Sequence, residues 1–183
     1  SQADINLTSS PTRGLDGKIS IDSLVYNDIH LDSIRADLTS IDGQLNYLLS
    51  VKNNPSNTYP YHGYLQGALY EHGLQTHATI LDKDGKTGFD LAMQAAMKRR
   101  GIELSITSPK SVLGYKSFAV NDSNYIYIGR DRRLSANLRL EAADGTGMLV
   151  STEDADTASL QNVTLSMNHF ELGSLFEVLP FAP

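Results

Sequence analysis

Arg133-Leu134-Ser135-Ala136-Asn137-Leu138-Arg139-Leu140-Glu141-Ala142 places an apolar residue at every even position and a polar one at every odd position. Successive strand side chains point to opposite faces, so this run buries one face and wets the other. Asp144-Gly145 follows, a dipeptide suited to the positive φ of a tight hairpin turn, and Gly147-Met148-Leu149-Val150-Ser151 returns as the partner strand. The same pattern repeats along the chain. Turn signals fall at Asp16-Gly17, Asp42-Gly43, His72-Gly73, Asp82-Lys83-Asp84-Gly85, Asn121-Asp122 and Asp144-Gly145. Their close spacing predicts an all-β fold.

Between these turns, several runs share one parity. They are Leu45, Tyr47, Leu49 and Val51; Leu65, Gly67 and Leu69; and Leu74, Thr76, Ala78 and Ile80. Phe89, Leu91, Met93, Ala95 and Met97 follow, then Ile102, Leu104 and Ile106. Met93 to Arg100 has helical propensity, but the period of two from Phe89 to Met97 predicts a strand. Tyr125-Ile126-Tyr127-Ile128 is apolar on both faces, which predicts cover on both sides. Parity flips between Leu31 and Ile34 and between Leu160 and Val163, and a β-bulge would account for each flip. Asn53 to Pro60 reads as a loop. Leu172 to Val178 reads as a short amphipathic helix stopped by Pro180.

With 183 residues and a 40% hydrophobic fraction, a single core-forming domain over 1–183 is expected. A net charge of −6 disfavours nucleic acid as a partner, since that would require a basic face. The absence of cysteine removes disulfides, thiolate metal sites and cysteine nucleophiles. No stretch approaches the ~18 consecutive apolar residues of a membrane helix. Neither Ser1-Gln2-Ala3-Asp4 nor Phe181-Ala182-Pro183 looks like a natural terminus, so a longer polypeptide is expected.

The motifs that could carry chemistry read most simply as structure. Asp82 to Asp90 lacks the glycine and glutamate spacing of a calcium loop and is expected to be a hairpin turn. His30, His62, His72, His77 and His169 form no metal-ligand spacing. No serine lies in a nucleophile-elbow context. Catalytic residues, metals and cofactors are therefore not expected. Tyr59, Tyr61 and Tyr64 could form a sugar platform, but rim or core tyrosines are the simpler reading. Arg130-Asp131-Arg132-Arg133 is a compact charged turn. Arg130, Arg132 and Arg133 are candidates for holding an anionic headgroup, because guanidinium pairs well with phosphate.

The C-terminal run from Ser159 to Pro180 joins an alternating strand to Leu172, Leu175, Leu179 and Pro180, a Leu-x-x-Leu-x-x-x-Leu-Pro segment. It resembles a recurrent element in the TamB branch of the AsmA-like cell-envelope proteins, the translocation and assembly module family, in the versions found in Bacteroidetes-type bacteria. Gly17 to Ile21, Asp84 to Leu91 and Leu134 to Val150 are similar to its upstream hairpins. The resemblance implies a curled antiparallel sheet forming an elongated open groove. It further implies a non-enzymatic segment of a periplasm-spanning protein, anchored to the inner membrane by a segment outside 1–183. Phospholipid transport and outer-membrane protein assembly would be its role, with an outer-membrane assembly protein as partner.

A curled sheet with one apolar face needs something over that face, and acyl chains can serve. Each buried methylene stabilises by ~0.8 kcal/mol, so a chain of about 16 carbons gains roughly 12 kcal/mol before ordering costs. The groove candidates are Leu45, Tyr47, Leu49, Leu65, Leu69, Phe89, Leu91, Met93, Leu104, Leu134, Leu138 and Leu140. The alternative is a closed β-sandwich that binds glycan or protein, with the same residues forming a dry core. Exposed sheet edges would also allow dimerisation.

Overall fold

The computed structural model describes residues 3–10, 14–26, 29–54, 56–57, 61–154, 161–169 and 173. The fold is all-β, built on a curled antiparallel sheet of 14 strands that does not close into a barrel. The first half comprises β1 (Ala3–Ser10), β2 (Gly14–Ile21), β3 (Leu24–Tyr26), β4 (Ile29–Leu31), β5 (Ser33–Ile41), β6 (Gln44–Lys52), β7 (Tyr61–Tyr70) and β8 (Gly73–Asp82). The second comprises β9 (Thr87–Lys98), β10 (Gly101–Ile106), β11 (Lys110–Leu113), β12 (Lys116–Val120), β13 (Tyr125–Gly129), β14 (Leu134–Ala142), β15 (Gly147–Asp154) and β16 (Gln161–Asn168).

The topology is largely a meander of sequence neighbours, broken where β10 pairs with β13, β11 with β9 and β12 with β14. β3 and β4, which lie between β2 and β5 in sequence, form a separate two-stranded ribbon, while β2 and β5 pair directly. β10 and β11 lie end to end along the same edge of β9, and β12 and β13 lie end to end along β14. The interruption falls at Thr107 to Pro109 and at Asn121 to Asn124. Pro109 has no N–H to offer a ladder. Asparagine side chains replace the missing rungs. The Asn124 Oδ1 accepts from the Ile106 N–H at 2.7 Å while its Nδ2 donates to the Ile106 carbonyl at 2.9 Å. The Asn121 Oδ1 accepts from the Arg139 N–H at 2.8 Å. Such irregularities add local twist and bend, and this one lies beside the core.

That core is small. Among the described residues, the buried apolar side chains are Phe118, Ala136, Leu138, Leu140 and Ala142. Phe118, Leu138, Leu140 and Ala142 form one cluster, and Ile106, Leu113, Val120, Ile126, Met148 and Val150 pack against it. The alternation from Leu134 to Ala142 is realised as expected, with Ala136, Leu138, Leu140 and Ala142 buried and Asn137, Arg139 and Glu141 exposed. β15 returns along β14 in the predicted hairpin, placing Leu138 opposite Val150 and Leu140 opposite Met148.

Several expectations change. Asp16-Gly17 is not a turn but lies inside β2, with Gly17 facing Leu7 on one side and Leu38 on the other. A Cβ there would sit 2.4 Å from a Leu7 methyl, so glycine permits the leucine to cross over it. The parity flip between Leu31 and Ile34 is not a bulge. β4 ends at Leu31, Asp32 bends the chain, and β5 begins at Ser33 in the other sheet. A real register shift occurs instead at Ile80/Leu81. Tyr125 to Ile128 is half-buried at its first three residues and exposed at Ile128, so neither face is fully covered. Phe89 to Lys98 is strand as predicted, and Arg99-Arg100 forms the turn after it. The C-terminal helix expected over Leu172 to Val178, and the flip at Leu160, lie outside the described residues apart from Gly173.

Candidate functional site

Residues directly opposite each other in an antiparallel pair point to the same side of the sheet. Following the register across the molecule therefore shows which side chains share a face. Leu45 faces Leu69, and Leu49 faces Leu65. Leu65 faces Ala78, which faces Leu91, while Thr76 faces Met93 and Ile80 faces Phe89. Ala95 faces Leu104, Leu104 faces Ile126, and Ile126 faces Ala136. The period of two carries that face along β14 through Leu138 and Leu140, and Ile128 brings in Leu134. All twelve sequence-predicted groove residues thus lie on one face. Ile5, Ile19, Ala36 and Leu49 extend it to β1, and Val150 and Leu165 extend it to β16.

The opposite face is polar. It carries Asn6, Lys18, Asp37 and Leu48 at one level, and Ser135, Asn137, Arg139 and Glu141 on β14. His77 lies on this face. Its Nε2 is 3.0 Å from the Asp90 Oδ2, which also accepts from the Thr79 hydroxyl at 3.0 Å. This pairing was invisible in sequence because its members come from two strands, β8 and β9. The geometry ties the two strands together on their wet side.

The predicted face residues differ in cover. Leu138 and Leu140 are buried in the core cluster. Leu45, Tyr47, Phe89, Leu91, Met93, Leu104 and Leu134 are half-buried, and Leu49, Leu65 and Leu69 are exposed. The Tyr47 ring crosses Gly67, and its hydroxyl donates to the Gln75 carbonyl at 3.1 Å. A glycine left bare in a strand is covered by a cross-strand aromatic. Tyr70 lies over Gly73 and Tyr127 over Gly101 in the same way. These contacts give three tyrosines a structural task. Tyr61 and Tyr64 fall on opposite parities of β7 and do not form a coplanar platform; Tyr59 lies outside the described residues.

At one end of the sheet, the turns 99–100 and 130–133 come together because Gly101 pairs with Gly129. The Arg130 N–H donates to the Arg100 carbonyl at 2.8 Å. A cavity of about 580 Å³ opens there, lined by Arg99, Arg100, Arg130, Arg133, Asp131, Tyr127, Leu134 and Ser135. Two of the three predicted headgroup arginines, Arg130 and Arg133, therefore line one cavity. Arg132 does not; it holds φ at 66° and donates its N–H to the Gly129 carbonyl in the turn. Arg99 and Arg100 were missed. The available signal was the paired sequence Arg99-Arg100-Gly101 and Gly129-Arg130, two glycine-flanked arginine turns one hairpin apart.

The Asp82 to Gly85 segment is a hairpin turn, its Asp82 carboxylate accepting from the N–H groups of Asp84 and Lys86. Among the described residues no group of three or more His, Asp or Glu side chains is placed to hold a metal ion. At the opposite end, Asp32 accepts from the Asn54 N–H at 2.7 Å and from the Asn57 side chain at 3.2 Å. The Asn54 bond, followed by that from Asn57, holds its carboxyl below the usual carboxylate range. His62 is pushed below the ordinary imidazole range by burial, with Lys52 adding to the effect. No family model, curated protein or solved structure matches this chain.

Proposed function

We propose that this chain is a non-enzymatic, lipid-shielding segment of a periplasm-spanning envelope protein, as its resemblance to the TamB branch implies. Acyl chains lie along the apolar face of the curled sheet, and the segment supports phospholipid transport and outer-membrane protein assembly. The observation that carries this reading is the continuity of one apolar face across the whole meander, with Leu49, Leu65, Leu69, Met97, Ile102 and Ile128 left exposed on it. Exposed apolar surface on this scale marks a site where something else binds. Acyl chains suit it because the face offers a continuous apolar track with few polar handles. A two-sheet sandwich would bury both inner faces, and the large sheet here is single and open.

The test is native mass spectrometry of the purified protein, with extraction and identification of any bound lipid. Retained phospholipid, or uptake of added phospholipid, is expected for the wild type. Loss of that uptake in a folded Leu65→Asp variant is also expected. A bare wild-type mass with no uptake of added lipid would refute the reading.

A further inference from the structure

The arginine-lined cavity contrasts in charge with the chain around it. The chain as a whole carries a net charge of −6. The cavity is lined by four arginines, Arg99, Arg100, Arg130 and Arg133, and by a single carboxylate residue, Asp131. That carboxylate is already engaged, accepting from the Arg133 N–H at 3.1 Å. Among the described residues, none of the four arginines forms an ion pair, whereas Arg35, Lys18, Lys98 and Lys116 each have a carboxylate partner. Like charges held together on two short turns repel, and an anion entering between them relieves that repulsion. Guanidinium favours oxyanions with several acceptor oxygens, because its planar fork donates two parallel hydrogen bonds to them.

The surroundings point to the rest of the ligand. Met97, Ile102, Ile128 and Leu134 are direct cross-strand partners on the apolar face, in the row next to these two turns. Met97, Ile102 and Ile128 are all exposed. Tyr127 and Ser135, paired with each other on the polar face, line the cavity together with Leu134 of the apolar face, so the charged rim meets the apolar row at the end of the sheet. A molecule with a phosphate at one end and a hydrocarbon tail at the other would place the phosphate among the arginines at the sheet end and pass the tail around Leu134 onto the apolar row.

We propose that the turns 99–100 and 130–133 form a binding site for the phosphate of a phospholipid headgroup, at the end of the apolar face. The identity of the tail rests on the lipid-shielding role proposed above; the affinity for phosphate does not. The site sets an orientation. Headgroups enter at this end of the sheet, and acyl chains run from it along the apolar face.

Three probes separate the contributions by calorimetry: glycerol phosphate, monomeric dihexanoyl phosphatidylglycerol, and octyl glucoside, which is apolar but carries no phosphate. The variant is Arg100→Gln/Arg130→Gln/Arg133→Gln. All three side chains are exposed, and the turn-to-turn hydrogen bond is main-chain, so the fold is retained. Arg35→Gln, remote from the cavity, is the control.

The phospholipid is expected to bind the wild type more tightly than glycerol phosphate does. Both are expected to weaken about tenfold or more in the triple variant and with added salt, while octyl glucoside is unaffected. Equal phospholipid binding by wild type and triple variant would overturn the site while leaving the groove intact. Glycerol phosphate binding as tightly as the phospholipid, with no binding of octyl glucoside, would overturn the headgroup assignment together with the lipid-shielding role. It would leave free phosphate as the ligand.

Discussion

Leu65 on β7 and Leu140 on β14 sit on the same face of one sheet, yet Leu65 is 39% exposed and Leu140 only 3%. Their flanking sequences are alike, each with apolar residues or glycine at alternate positions. The difference lies in what the sheet does around them. Near β14, the interrupted strands β10/β11 and β12/β13 bend the sheet, and apolar side chains from β10 through β15 gather into one cluster. Around β7 the strands are long and unbroken, and the same kind of face stays open. Alternation specifies an amphipathic sheet; its local curvature decides whether the apolar side becomes a core or a groove.

The sharpest way to break this comparison is to truncate both leucines. Leu140→Ala is expected to cost about 2–5 kcal/mol in urea unfolding, the range for a buried cavity. Leu65→Ala is expected to cost under about 1 kcal/mol, as for substitutions at open sites. Equal losses would mean that the face around β7 is covered in solution. Asn124→Ala comes next. It removes both side-chain bonds to Ile106 and is expected to cost about 1–3 kcal/mol, with faster amide exchange at Ile106 as the specific signature. Gly67→Ala tests the open half in the other direction. Its Cβ would lie 1.9 Å from the Gln75 carbonyl oxygen and 2.6 Å from the Tyr47 hydroxyl. An overpacking loss of about 1–3 kcal/mol is expected, because the Gln75 backbone itself must shift, with Tyr47 displaced from its bond to Gln75.

The smallest effect is pH dependence. The folded protein holds His62 below its ordinary pKa, so the unfolded chain binds more protons as pH falls through the imidazole range. Stability from this group is present above about pH 6.5 and declines below it. His62→Gln is expected to flatten that part of a stability-versus-pH curve. Asp32 has the same sign at lower pH. Its contribution is complete above the usual carboxylate range and is lost as pH falls through and below it, which Asp32→Asn would show.

Much of the fold was legible in the sequence, because a period of two is a direct image of a sheet with unlike faces. Leu134 to Ala142 and Phe89 to Met97 were read correctly for that reason, the latter against its helical propensity. Turns were less secure. Asp16-Gly17 carries a turn dipeptide, but its glycine serves the passage of Leu7 across the strand, and composition does not separate these two uses of glycine. The break at Asp32 was read as a bulge because a bulge and a new strand flip parity alike. Of the candidate site, the shared face of the twelve apolar residues could be guessed strand by strand. Its continuity needed the pairing register, which depends on every turn length at once. The arginine cavity was half visible. Arg130 to Arg133 stood out as a run, whereas Arg99 and Arg100 belong to it only through the pairing of Gly101 with Gly129.

The asparagine bridges at the interrupted strands have a mechanical consequence. A flat sheet bends about any line parallel to its strands, with nothing to prefer one line over another. Here Asn121 and Asn124 replace ladder rungs with side-chain bonds along a line crossing the strands, near Ile106, Val120 and Arg139. That line acts as a crease. It sets the place of the interruption within β10 to β14, so the bend beside the packed cluster is held by two asparagine side chains rather than by the ladder alone.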